Sequence, residues 1–347
     1  MIKKNYIQKK SIYLEGIKNL KVLEKKEKVS KNKILVKVDS CGICSSDLKF
    51  IYTGSRIKKY PVILGHEISG KLSDNKFVVF GAEAPCGKCE SCKKFTEDTN
   101  LCDSPISVGS NFDGGFSNYF IISKKIFSKI PHIIYKNKKP LKYASLAESL
   151  ACVINGIEIT KFKANQKIAI LGSGYMGLLF VALAKIKKAK LISVMDFDKK
   201  RLKIAKSLGA NKLFQITKNK KKNINDILKP TNKLGYDAVI SANGNPDSHE
   251  LACELVAKNG VVNLFGGIPN KSNRALKIDS NFIHYKQAKI TGSFSSNKNH
   301  LKKAFKIIKN NSIDFSKIVS SHASYSNFKD KIKQLKNRKE IKSIFRP

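Results

Sequence analysis

Residues 167 to 198 restrict the fold more than any other stretch of the chain. KIAIL is a short apolar run that stops at glycine, as a buried strand does. It is followed by Gly172-x-Gly174-x-x-Gly177, an apolar segment of helical length, and a second strand pattern, LISVMD, that ends in Asp196. Strand, glycine turn, helix and strand form a β-α-β unit, and repetition of that unit predicts a parallel sheet. The glycines permit a tight turn, close backbone approach to a pyrophosphate and close packing of helix on strand. Glycines at this spacing carry little weight alone. Here they lie between a strand and a helix, and Asp196 follows Gly172 by 24 residues. That context weighs against a glycine turn in an unrelated α/β fold. A carboxylate there accepts hydrogen bonds from ribose hydroxyls and repels a 2′-phosphate, so the candidate cofactor is NAD rather than NADP.

The α/β pattern continues through DKKRLKIAKSLGANKLF, YDAVISANG (236–244), a helix expected from Pro246 to Lys258, and GVVNLFGG (260–267). Together these predict a doubly wound parallel sheet. The preceding part reads differently. Residues 1–40 alternate apolar and polar, as in ILVKVD (34–39), which suits half-buried strands of a β-rich domain. Residues 112–131 read as a glycine turn followed by strands, and 141–158 carries helical apolar spacing. The tail mixes a strand, an amphipathic helix and a last strand in IKSIFRP. A chain of 347 residues suits two domains.

Eight cysteines stand at 41, 44, 86, 89, 92, 102, 152 and 253. The N-terminus lacks the apolar stretch of a signal peptide, so clusters at two-residue gaps read as metal sites rather than disulfides. Cys86, Cys89 and Cys92 fall at steps of three, with Cys102 ten further on. Four thiolates close a tetrahedral shell around zinc, which staples a loop and does no chemistry. A second constellation lies in residues 41–67, where Cys44, Asp47, His66 and Glu67 combine a soft thiolate, an imidazole and carboxylates. Three protein ligands leave a fourth position for water or substrate, the arrangement of a catalytic centre. Ser45-Ser46-Asp47 suits a helix start. Gly65-His66-Glu67 follows the apolar run PVIL and reads as a ligand pair at the end of a strand or turn. Glu148 is a lone carboxylate on a helix, and periodicity alone reads it as a solvated face.

Net charge is +41, which raises nucleic-acid binding. Lysine dominates, however, with only five arginines, and it is spread along the whole chain. Lys, Asn and Ile all have A/T-rich codons, and the densest run, Lys218 to Lys222, is expected in a loop. A solvated surface accounts for these, so no nucleic-acid partner is expected. The charge still attracts anionic substrates and the cofactor. No uncharged apolar run reaches 18 residues, so no membrane span is expected and a cytoplasmic location follows.

In motif order and spacing the chain resembles the zinc-dependent medium-chain alcohol/polyol dehydrogenases, in particular the sorbitol and threonine dehydrogenase branch. The resemblance rests on GICSSD (42–47), GHE (65–67), the four-Cys lobe (86–102), AESLACVINGIE (147–158), GSGYMG (172–177) and VMDFDKKRL (194–202). It implies a GroES-like β-rich catalytic domain from residues 1–149 and 291–347. A Rossmann NAD-binding domain occupies 150–290, with the active site in the cleft. By position, Cys44, His66 and Glu148 become ligands of a catalytic zinc. Glu67 becomes an exchangeable ligand or its neighbour, Asp47 an orienting group, and Ser46 the hydroxyl that passes on the substrate proton. Cys86, Cys89, Cys92 and Cys102 become ligands of a structural zinc. Gly172, Gly174, Tyr175, Met176, Gly177, Asp196 and Arg201 become cofactor contacts, while Cys41, Cys152 and Cys253 are spare thiols.

Two departures from the family pattern stand out. Lys49 occupies the place where many relatives carry the outer histidine of the proton relay. It could move a proton if its pKa were lowered, contact an anionic substrate, or face solvent. The gap from Cys92 to Cys102 holds nine residues where the family usually has seven. The resemblance implies reversible oxidation of a secondary alcohol of a polyol, sugar or related hydroxy compound with NAD, in a dimer or tetramer. A threonine or sugar-phosphate dehydrogenase, or a non-catalytic nucleotide-binding relative, is the alternative.

Overall fold

The computed structural model describes residues 6–95, 99–269 and 274–347. The alternation near the start produces β1 (Tyr6–Gly16), β2 (Asn19–Lys28) and β3 (Lys33–Gly42); residues 1–5 of that expected stretch lie outside the described residues. Then follow α1 (Ser45–Thr53), β4 (Val62–Ile63), β5 (Glu67–Leu72), β6 (Phe77–Phe80), β7 (Glu83–Ala84), α2 (Glu90–Phe95) and β8 (Ile106–Ser107). Helix α1 stops at Gly54, whose φ of 67° is costly for a residue with a Cβ. Residues 112–131 form one strand, β9 (Tyr119–Ser123), and a short helix, α3 (Lys124–Phe127), where successive strands were expected. The Ser123 hydroxyl accepts from Ile126 N and so turns the chain into a helix. Strand β10 (His132–Tyr135) follows. A 3₁₀ turn (Ala144–Leu146) then leads into α4 (Ala147–Ile159).

The α/β part comprises β11 (Lys167–Leu171), α5 (Tyr175–Ile186), β12 (Leu191–Asp196), α6 (Lys199–Leu208), β13 (Lys212–Gln215), α7 (Lys220–Leu228), β14 (Tyr236–Ser241), α8 (Pro246–Leu255), β15 (Val256–Leu264), α9 (Ser280–Lys286) and β16 (Lys289–Gly292). Two expectations need correction. The Lys218–Lys222 run enters α7 instead of staying in a loop, because Asn219 accepts a hydrogen bond from Lys222 N and caps that helix. Helix α8 ends at Leu255, and β15 begins at once, as Val256 takes up a strand position opposite Tyr236. The tail contributes α10 (Lys298–Lys309), β17 (Ser321–Ala323), α11 (Phe328–Lys336) and β18 (Ser343–Phe345).

Two units divide the chain. The first comprises residues 1–151, 295–311 and 319–347; the second comprises 152–294 and 312–318. In the first, a seven-stranded sheet runs β10-β6-β5-β3-β18-β17, with β9 also paired to β3. Its apolar core includes Val36, Ile68, Phe80, Phe116, Phe120 and Phe345. In the second, six parallel strands run β13-β12-β11-β14-β15-β16. The order reverses between β11 and β14, and ligands of such sheets bind outside the carboxyl ends of the strands at that point. The fold is therefore α/β, with a GroES-like β-rich part and a doubly wound Rossmann sheet.

Candidate functional site

The metal-type residues meet because β3 and β5 are antiparallel neighbours. Gly42 lies opposite Glu67 and Cys41 opposite Ile68, so the end of β3 and the start of β5 are side by side. Cys44 follows one strand and His66 precedes the other. A Cβ at Gly42 would run into the Glu67 carboxylate, so a side chain there would push Glu67 out of place. Cys44, His66 and Glu67 each offer a ligand atom, and these atoms lie within 4.8 Å of one another.

His66 is held on both ring nitrogens. Ser46 Oγ is 3.2 Å from Nε2, and Asp47 Oδ1 is 3.4 Å from Nδ1. The Asp47 contact is electrostatic rather than an aligned hydrogen bond, since Oδ1 has no hydrogen-bond partner among the described residues. Its other oxygen accepts from Cys44 N at 2.8 Å, which ties the helix start to the cluster. Burial pulls the His66 pKa down, but the Asp47 charge, with Cys44 also close to the ring, outweighs it and holds the pKa well above 6.5. The cluster thus favours positive charge at this point. Cys41 lies behind it, fully buried, with burial pushing its thiol pKa up.

Glu67 is fully buried, and Lys342 Nζ meets its Oε1 at 2.6 Å. Lys342 is 1% exposed and also donates to Ile43 O at 3.0 Å. Glu67 Oε2 finds no partner among the described residues. Lys342 belongs to no sequence motif. Its signal is a lysine two residues before Ile344 in an apolar strand. Ile344 pairs with Gly42, so Lys342 stands on the same sheet face as Gly42 and Glu67.

Glu148 stands in the first turn of α4 and is 5% exposed, so it is not on a solvated face. The 3₁₀ turn just before it packs on β3, β5 and β6, while the 4.8 Å group itself is Cys44, His66 and Glu67. Lys49 is exposed on α1. A thiolate, an imidazole and carboxylates suit zinc. The unpartnered Glu67 oxygen and the cation-favouring surroundings of His66 also fit a metal.

The four-Cys lobe fits a second metal. Cys86 and Cys92 sulfurs are 4.0 Å apart, and those of Cys89 and Cys102 are 3.9 Å apart. A tetrahedron with Zn–S bonds of about 2.3 Å has edges of about 3.8 Å. Backbone N–H groups of Lys88 and Cys89 point at Cys86 Sγ and lower its pKa to about 6. Burial raises that of Cys92 to about 12. Residues 96–98 of the longer Cys92–Cys102 gap lie outside the described residues, yet the four sulfurs still converge.

In the second unit, each glycine of the turn after β11 has a distinct surrounding. Gly172 has a φ of 100°. A Cβ on Gly177 would strike Gly172 O, so the helix packs close to the strand end. Gly174 faces open space, with only Arg201 Nη1 near, at 3.7 Å from where its Cβ would be. Gly174 provides no side-chain cap for α5, as suits a helix start that receives an anion. Tyr175 and Met176, half-buried, form its first turn. Asp196 Oδ2 accepts from Ser173 N at 2.6 Å and Ser173 Oγ at 2.8 Å, and Oδ1 accepts from Asp198 N at 3.0 Å. Arg201 Nε lies 3.7 Å from Asp198. An uncapped helix start, an open glycine and a strand-end carboxylate suit a dinucleotide.

Residues 30–132 match the alcohol dehydrogenase GroES-like domain, and residues 176–310 match the zinc-binding dehydrogenase domain. Sorbitol dehydrogenase of Bacillus subtilis is 31% identical over 281 residues, covering 77% of this chain and 76% of that protein. The chain belongs to the zinc-binding dehydrogenase family. D-arabitol-phosphate dehydrogenase of Enterococcus avium is 26% identical over 334 residues, covering 90% of this chain and 89% of that protein. The crystal structure of an alcohol dehydrogenase from Thermotoga maritima matches with a TM-score of 0.87 at 20% identity, over 98% of this chain and 100% of that one. At that identity the likeness concerns the fold. As a zinc-binding dehydrogenase, the chain is an oxidoreductase. No helix among its described residues is long and apolar enough to cross a membrane.

Proposed function

We propose that the chain reversibly oxidises a secondary alcohol of a polyol, sugar or sugar-derived hydroxy compound to a ketone with NAD. Cys44, His66 and Glu148 hold the catalytic zinc, and the four-Cys lobe holds a structural one. The observation that carries this reading is His66, clamped between Asp47 and Ser46 while sharing a 4.8 Å cluster with Cys44 and Glu67.

Zinc supplies Lewis acidity that eases removal of the alcohol proton, and NAD supplies the hydride acceptor. Ser46 stands beside His66 and takes that proton outward. Asp47 faces Nδ1 and so orients the ring. Lys342 holds Glu67 by one oxygen and leaves the other without a partner among the described residues, which supports Glu67 as an exchangeable ligand. Asp196 receives the adenosine ribose, and Arg201, beside the open glycine, favours the cofactor's negative charge. The exposed side chain of Lys49 supports a role facing solvent or an anionic substrate.

Similarity to sorbitol dehydrogenase supports a polyol. The net charge of +41 and similarity to D-arabitol-phosphate dehydrogenase support a phosphorylated one as the second reading. A homo-oligomer in the cytoplasm accompanies either. The test is zinc content by metal analysis together with NAD reduction over polyols, sugar phosphates and threonine. Two zinc ions per chain and turnover of a polyol are expected. A zinc-replete protein that reduces NAD with no member of the panel would overturn the reading.

A further inference from the structure

The carboxyl ends of β11, β14 and β15 are tied together by two residues that no motif announces. Asn243 follows β14, and its Nδ2 donates to Leu171 O at 3.1 Å and to Ser248 Oγ at 2.8 Å. The same nitrogen lies 3.2 Å from where a Cβ on Gly172 would be, so it abuts the glycine turn. Gly266, just past β15, sits so tightly on the Asn243 backbone that no Cβ fits there; Gly244 meets Gly267 in the same way. On the other side of Gly266 is His249 of α8, 2% exposed, with Nε2 3.0 Å from Gly266 O.

A carbonyl only accepts, so His249 carries its proton on Nε2. Burial lowers the pKa of His249, and its Nδ1 has no partner among the described residues. A hydrophobic side chain would fill this position at less cost than a half-satisfied buried imidazole. What the imidazole adds is one directed hydrogen bond to Gly266 O. Gly266 belongs to the half of the sheet across the switch point from Asp196. In a doubly wound sheet each half receives one nucleotide, so the half with Asp196 takes adenosine and the β14–β16 half takes the other.

We propose that His249 and Asn243 are positioning residues for the nicotinamide half of the cofactor, bracing the β14 and β15 exits against the glycine turn. The proposal rests on the reading of the chain as an NAD enzyme. The brace fixes backbone, so its loss acts on the nicotinamide end and spares the adenosine end.

The experiment measures NADH and ADP-ribose binding to the zinc-loaded protein by calorimetry. His249→Leu should weaken NADH by about 5- to 10-fold, the effect of one lost hydrogen bond, while ADP-ribose stays within about 2-fold. His249→Gln, whose amide can donate to the same carbonyl, should restore most of the NADH affinity. If His249→Leu does not fold, Asn243→Ala reads the same split. Equal weakening of both ligands, or no change in either, overturns the brace. A wild-type protein that binds neither ligand removes the cofactor reading itself. Binding of both by the wild type, with no split in the variants, removes the brace alone.

Discussion

Lys342 Nζ and Glu67 Oε1 form a 2.6 Å ion pair with neither side chain more than 1% exposed. Removing one partner of such a pair strands a charge in a low-dielectric interior, which costs far more than the pair itself contributes. Lys342→Met should therefore lower stability by about 3–5 kcal/mol in urea unfolding. Adding Glu67→Gln should recover part of that loss. Equal stability of Lys342→Met and wild type would mean that solvent reaches this carboxylate.

Cys44→Ala and His66→Ala each remove a proposed ligand of the catalytic metal. Both should lose one zinc per chain and all turnover, while NADH binding persists. Ser46→Ala should keep its zinc yet lower kcat by about 100-fold or more, the scale of a positioned proton-transfer group. Full turnover in any of the three would contradict the assigned roles.

Cys102→Ser addresses the other cluster. It should release one zinc, lower the Tm and leave the second zinc bound, because the two donor sets share no residue. Retention of both ions would mean that three thiolates suffice.

Asp196→Ala removes the carboxylate expected to repel a 2′-phosphate. The ratio of kcat/KM for NADP to that for NAD should rise about tenfold or more. An unchanged ratio would place the discrimination elsewhere.

Acid should destabilise the protein through His249. Burial depresses its folded pKa below the ordinary 6.5, so the unfolded chain binds a proton more readily. Stability from this group is present above about pH 6.5 and falls as pH drops toward the folded pKa. His249→Gln should flatten the dependence of Tm on pH below about 6.5. Parallel wild-type and variant curves would show that other groups govern the acid response.

Much of the site is legible in the sequence because its chemistry is local. The cysteines of the lobe span 86 to 102, and the glycine turn and Asp196 sit in one β-α-β unit. Fold class is legible for the same reason, since periodicity switches from alternation to α/β repeats along the chain. Lys342 is not, because its partner lies 275 residues away and only strand pairing brings them together. Nor is His249, a single histidine in an amphipathic helix, where nothing local says that its ring meets a backbone carbonyl. Helix α3 escaped for a smaller reason, as one serine cap overrides a strand-like apolar pattern.

Strand β18 pairs with β3 and carries Lys342 to Glu67, while residues 152–294, lying between them in the chain, build the second unit. On a ribosome, Cys44, His66 and Glu67 emerge hundreds of residues before the cation that neutralises Glu67. The nucleotide-binding sheet can close while the metal centre still lacks its buried counter-charge. A chain interrupted before residue 342 would therefore hold the whole 152–294 stretch yet lack the buried cation that pairs with Glu67.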